Sequence, residues 1–172
     1  GSLEEGSTAG WAKLGTGTNI ASYTDRATAR DGDRYGATNV AVADGSIYQD
    51  VAIAAKPGES YTLSVWLRAR HAAPMRGKLV LWATGGGTSV NEVETFSLTQ
   101  DWQLVSVTFD STVTRSQLRA QIYMSDTNAT NTLYFDGATL IPNGLRNGSL
   151  EEGSTAGWAK LGTGTNIASY TD

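Results

Sequence analysis

The 172-residue chain is poor in the side chains that do covalent chemistry and rich in those that bind. There is no cysteine and only one histidine, His71. A thiolate nucleophile, a disulfide framework and a Cys/His zinc site are therefore excluded. His71 stands beside Ala72 and Ala73 in a loop-like stretch, the usual setting of a solvated histidine. No pair of Asp and Glu has a spacing that sets two carboxylates across a scissile bond. Gly15 to Thr18 reads Gly-Thr-Gly-Thr and lacks the Lys-Ser/Thr of a phosphate loop. What remains is a set of aromatic residues on strand-like runs: Tyr48, Trp66, Trp82 and Tyr123, accompanied by Arg68, Arg119 and Gln121. An aromatic surface flanked by planar hydrogen-bonding groups suits a sugar ring. The ring's C–H face stacks on the aromatic, and its hydroxyls meet the polar groups. The competing reading is that Trp66 and Trp82 are covered by a loop or by a neighbouring unit.

Strands must position these residues. Helical periodicity is hard to find, whereas period-2 alternation recurs. From Tyr61 to Arg70, the residues Tyr61, Leu63, Val65, Leu67 and Ala69 take one face, and Thr62, Ser64, Trp66, Arg68 and Arg70 the other. From Lys78 to Ala83, Leu79, Leu81 and Ala83 oppose Lys78, Val80 and Trp82. Val105, Val107 and Phe109 alternate with Leu104, Ser106 and Thr108, and Leu118, Ala120, Ile122 and Met124 with Arg119, Gln121, Tyr123 and Ser125. Further strands are expected around Ile47 to Ile53 and from Leu133 to Leu140. The expected core is Leu63, Val65, Leu67, Leu79, Leu81, Val105, Val107, Phe109, Leu118, Ile122, Leu133 and Phe135. Asp31-Gly32, Asp44-Gly45, Pro57-Gly58, Gly85 to Gly87 and Pro142 to Gly144 read as turns. Arg115 to Gln117 could carry one helical turn. Many short strands so punctuated predict an all-β fold, a two-sheet antiparallel β-sandwich.

Residues 1–25 recur letter for letter at 148–172. Chance does not match 25 consecutive positions. One 147-residue unit is therefore followed by the opening of a second; the chain reads as part of a tandem array of near-identical repeats, or as one in which the duplication was built on purpose. The expected division is a sandwich over 1–142, a linker at 143–147 and, at 148–172, the first strands of the next identical repeat. Because the two copies are identical, the second could complete the sandwich by strand exchange. In that case Trp158, rather than Trp11, would pack on the core.

Several short motifs, in order, give the unit a family resemblance. Asn147-Gly148-Ser149-Leu150-Glu151-Glu152-Gly153 followed by Gly157-Trp158 resembles the opening of carbohydrate-binding modules related to families 4, 9 and 22. So do Asp31 to Tyr35, Tyr48-Gln49-Asp50-Val51, Pro57 to Tyr61, Asp101-Trp102 and Phe135 to Leu140. Leu3 and Leu150 stand where that family usually has Phe, and Gly137 where a second Asp is common. The resemblance implies a jelly-roll sandwich with no catalysis, in which Trp11, Trp102 and Trp158 are framework residues. It also implies a structural calcium held by Glu4 or Glu151, Asp33 and Asp136. Carboxylates and loop carbonyls can supply the oxygens that calcium requires.

Formal net charge is −4, with no broad basic face. Nucleic acid is thus not an expected partner, and no apolar run is long enough for membrane insertion. Two functions compete. One is a carbohydrate-binding repeat of a secreted or cell-surface protein, with a polysaccharide or glycan and neighbouring identical repeats as partners. The other is a stalk or filament spacer, such as an adhesin carries, with no ligand of its own. Either expectation is extracellular or at the cell surface.

Overall fold

The computed structural model describes residues 8, 10–72, 74–125 and 132–143. Ten strands run through them: β1 (Ala12–Leu14), β2 (Thr18–Thr24), β3 (Arg34–Val40), β4 (Gly45–Val51), β5 (Ser60–Ala69), β6 (Met75–Thr84), β7 (Val90–Leu98), β8 (Gln103–Asp110), β9 (Gln117–Met124) and β10 (Leu133–Asn143). They form two five-stranded antiparallel sheets. The front sheet has the order β1-β4-β9-β6-β7, and the back sheet β2-β3-β10-β5-β8. This is the β-sandwich that alternation predicted.

Alternation sets the register. In β5 every second residue from Tyr61 to Ala69 is buried, and the residues between are half-buried. All twelve residues of the expected core are buried within one cluster between the sheets. A one-residue slip in any strand would turn its apolar face to water. Each fully buried Leu or Phe stabilises the fold by roughly 1.5–3 kcal/mol relative to an exposed one. Glycine is required at position 36, which lies directly across from Phe135 on the neighbouring strand of the back sheet. A side chain at Gly36 would run into the ring of Phe135.

Three local expectations are corrected. Arg115 takes no helical turn; its N–H and that of Ala55 bond each other's carbonyls at 2.9 Å, and β9 begins at Gln117. Pro142 and Asn143 do not turn but extend β10, opposite Tyr61 and Ser60. Among the described residues β10 pairs with β3 only from Leu133 to Phe135, so Pro142 has a described ladder partner on the β5 side alone, a position where proline is tolerated. The third correction concerns strand exchange. Trp11 is 5% exposed, and its ring centre lies 5.3 Å from that of Phe135. β1 and β2 sit at one edge of each sheet. Trp11 fills the framework slot, so the first copy completes its own sandwich. Trp158, like all of 148–172, lies outside the described residues.

Candidate functional site

The outer face of the front sheet gathers five of the seven expected binding residues. Ile47, Leu118, Ile122, Leu79 and Leu81 point into the core, so their neighbours on β4, β9 and β6 point outward. Tyr48 lies opposite Gln121, Asp50 opposite Arg119, and Ser46 opposite Tyr123. On the far side of β9, Trp82 lies opposite Arg119 and Val80 opposite Gln121. Trp82, Arg119, Gln121 and Tyr123 line an open groove of about 200 Å³, together with Leu14, Thr84 and Ser89. Tyr48 joins the patch through Arg119, whose guanidinium carbon stands 4.2 Å from the Tyr48 ring centre.

Hydrogen bonds hold the patch in shape. Arg119 donates from Nε to Asp50 Oδ1 at 2.6 Å and from Nη2 to Asp50 Oδ2 at 2.9 Å. The carboxylate raises the guanidinium pKa above its ordinary value, with burial pulling the other way. Three of the five guanidinium N–H groups remain for a ligand. Gln121 is only 2% exposed and donates from Nε2 to Ser46 Oγ at 2.8 Å, so it serves as floor. Burial pushes the Tyr123 phenol pKa up, while the Trp82 indole and the Arg119 guanidinium oppose the rise. Trp82 Nε1 is shut off from solvent beside Tyr123, without a hydrogen bond of full geometry. Asp50 was not singled out as a site residue, yet alternation puts it two residues from Tyr48 on the same face.

Trp66 and Arg68 do not belong to this patch. β5 is in the back sheet, so their outward face is on the other side of the molecule. Counting alternation within a strand assigns a face to each side chain but not the sheet to which that face belongs. Both residues are also engaged already. Arg30 lies over the Trp66 ring at 4.2 Å, and Arg68 sits between Trp102 and Tyr134 at 5.3 and 5.2 Å. Trp102 donates from Nε1 to the Thr28 carbonyl at 3.1 Å, a framework role as expected. The loop of residues 25–33 thus covers Trp66, as the competing reading held.

The expected calcium ligands are not gathered by the described residues. Asp136 is 5% exposed, and its carboxylate accepts the N–H groups of Arg30, Asp31 and Gly137 at 2.9, 3.2 and 2.7 Å. It anchors the loop of residues 25–33 to β10. Asp33 lies on the surface, 3.9 Å from Arg26. Glu4 and Glu151 lie outside the described residues. Among the described residues no three acidic, histidine or cysteine side chains converge. The described donor set therefore does not fit calcium by itself.

This geometry binds rather than reacts, and comparison with known proteins agrees. A family described as a carbohydrate binding domain matches residues 1–130. No curated protein sequence matches the chain. A Clostridium thermocellum endo-1,4-beta-D-xylanase fragment, comprising a family 22 binding module and a catalytic module complexed with xylohexaose, superposes with a TM-score of 0.67 at 18% identity. The match covers 80% of this chain and 27% of that one. This chain thus spans about a quarter of that fragment. The family 22 xylan-binding domain of a Paenibacillus barcinonensis xylanase gives 0.65 at 20% identity over 82% and 90% of the two chains. A family 61 module in complex with beta-1,4-galactotriose gives 0.63 at 13% identity over 83% and 94%. At such identities these likenesses concern the fold. The family match covers most of the sequence, and the chain belongs to the carbohydrate-binding domain family as a non-catalytic binding module.

Proposed function

We propose that the groove on the front sheet binds an internal stretch of a β-linked polysaccharide of the xylan type. The observation that carries this is the meeting of Trp82, Tyr123 and Arg119 around one open groove on a rigid sheet. Trp82 and Tyr123 present apolar faces to the sugar rings. Arg119, fixed by Asp50 and Tyr48, donates its remaining N–H groups to hydroxyls. Such preorganisation lowers the entropic cost of ordering side chains on binding. The xylan class is suggested by what two structural neighbours are described as binding. A polymeric ligand of this kind is met outside the cell, and this supports the reading that the protein works in the extracellular space or at the cell surface. The test is a glycan array probed with the full chain, with and without calcium. Retention on β-1,4-linked glycans supports the reading, and silence across the array overturns it. A melting temperature that falls in chelator would bring calcium, held near Glu4, back into the account.

One observation favours a second reading. The identity of 1–25 with 148–172 suits a spacer array whose copy number can change by recombination. In that case successive units are self-contained beads, each with its own Trp11 in its own core. An array that also binds would gain avidity through effective concentration. Mechanical extension of a multi-repeat chain should show equal, repeated unfolding events if the units are beads.

A further inference from the structure

The outer face of the back sheet carries a row of tyrosines and an arginine that crosses four of its strands, β2, β3, β10 and β5, and ends on Trp102 just before β8. Tyr23 stacks on Tyr35 with ring centres 5.7 Å apart and planes at 23°. Tyr35 meets Tyr134 at 4.7 Å, Arg68 lies 5.2 Å from Tyr134, and Trp102 lies 5.3 Å beyond Arg68. Cross-strand pairs of this kind hold a sheet together, and that is sufficient for Tyr35, which is buried. It does not account for Tyr23, which is 51% exposed at the edge of a hollow.

The hollow has a definite construction. Two residues along from the tyrosines, the same face carries only Ala21 opposite Ala37. Two residues further, Asn19 lies opposite Asn39, and Asn19 Nδ2 donates to Asn39 Oδ1 at 2.9 Å. The two alanines lower the floor between a tyrosine wall and an amide wall about 13 Å apart, at four residues of strand rise. The space enclosed is about 320 Å³, with Arg70 at one end. Its lining offers rings, hydroxyls, amides and one guanidinium, and no carboxylate. The free amide atoms of Asn19 and Asn39 can donate to and accept from hydroxyl groups.

We propose that this hollow is a second glycan-binding site, taking a separate stretch of the same class of polysaccharide. The choice of ligand class rests on the function proposed for the front sheet; the site itself rests on different residues. Tyr23 and Tyr134 supply the stacking surface, Asn19 and Asn39 the hydroxyl contacts, and the alanine floor the clearance for a pyranose ring. Since the two grooves lie on opposite outer faces of the sandwich, one module holding both would bridge two polysaccharide chains.

The test is a titration of the full chain with xylohexaose, followed by backbone amide resonances. Two groups of signals report separately: Tyr48, Trp82 and Tyr123 for the front sheet, and Asn19, Tyr23 and Asn39 for the back. The proposal expects saturable shifts in the second group that persist in Trp82→Ala. It expects them to weaken at least tenfold in Ala21→Leu, which fills the floor, and in Tyr23→Ala. Shifts confined to the first group overturn the second site and leave the front site standing. Shifts in the second group alone keep this site and remove the front one. Back-sheet shifts that vanish with Trp82→Ala, or an absence of shifts in both groups, overturn it. Both back-sheet substitutions are on the outer face of an edge strand, and unchanged dispersion of the remaining signals checks the fold.

Discussion

Arg119 grips Asp50 through two hydrogen bonds while its guanidinium carbon stands over Tyr48, 4.2 Å from the ring centre. The carboxylate fixes the guanidinium, and the guanidinium holds its place over the ring. Asp50→Ala should therefore weaken glycan binding by about 1 kcal/mol, roughly fivefold, as ordering must then occur on binding. Both side chains are partly solvated, so the cost to stability should stay at about 1 kcal/mol or less. Calorimetric titration and urea melts of the variant measure the two effects. An affinity equal to that of the parent would contradict the positioning role of Asp50.

Trp66 separates the two sheet faces experimentally. It packs beneath Arg30 and against Gly137 on the back sheet. Trp66→Ala should leave front-sheet affinity within about twofold, while lowering the denaturant midpoint through lost packing of about 2–3 kcal/mol. Loss of glycan binding in a folded Trp66→Ala variant would mean that the back sheet carries the main site.

Asp136 is the anchor of the loop of residues 25–33, through three backbone N–H donors. Asp136→Ala leaves these donors without their acceptor and should cost about 3 kcal/mol. The loop should then be cut first in limited proteolysis, between Arg26 and Arg34. Wild-type resistance of that loop in the variant would show that the anchor is dispensable.

Tyr35 gives an alkaline signature. Burial, reinforced by Tyr134, pushes its phenol pKa up from 10.0 to about 12. The folded state thus holds the proton more tightly than the unfolded chain. The stability tied to this proton is fully present below pH 10 and is lost as pH rises from 10 towards 12. Ultraviolet titration should show a tyrosine component ionising near pH 12 that is missing in Tyr35→Phe, and the same substitution should flatten the decline in stability. An unchanged slope in that variant would assign the decline elsewhere.

Much of the fold was legible because alternation in β5, β6, β8 and β9 is strict and their inward residues are large. β1, β2, β3 and β7 gave no such signal. In β2 (Thr18–Thr24) and β3 (Arg34–Val40) the inward positions are mostly small or polar, among them Thr18, Ser22, Gly36 and Thr38, and Gly36 takes an inward position that only a glycine can fill against Phe135. β7 is an edge strand with Glu92 and Glu94 exposed, a composition that discourages edge-to-edge pairing and hides the strand from a hydrophobic pattern. The site was half legible for a related reason. The period of a strand puts Trp66 and Trp82 outward, but the order of strands decides that they face opposite ways. That order is set by long-range pairing, which a single sequence does not display. Asp50, by contrast, needed only the same alternation applied to β4.

The central claim is that the Trp82 groove of the front sheet binds glycan. Isothermal titration of xylohexaose into the full chain and into its Trp82→Ala variant tests it most directly. The account predicts saturable heat for the parent and a loss of about 2 kcal/mol, roughly thirtyfold in affinity, for the folded variant. Equal affinity in the two proteins, or no binding by the parent, would contradict it.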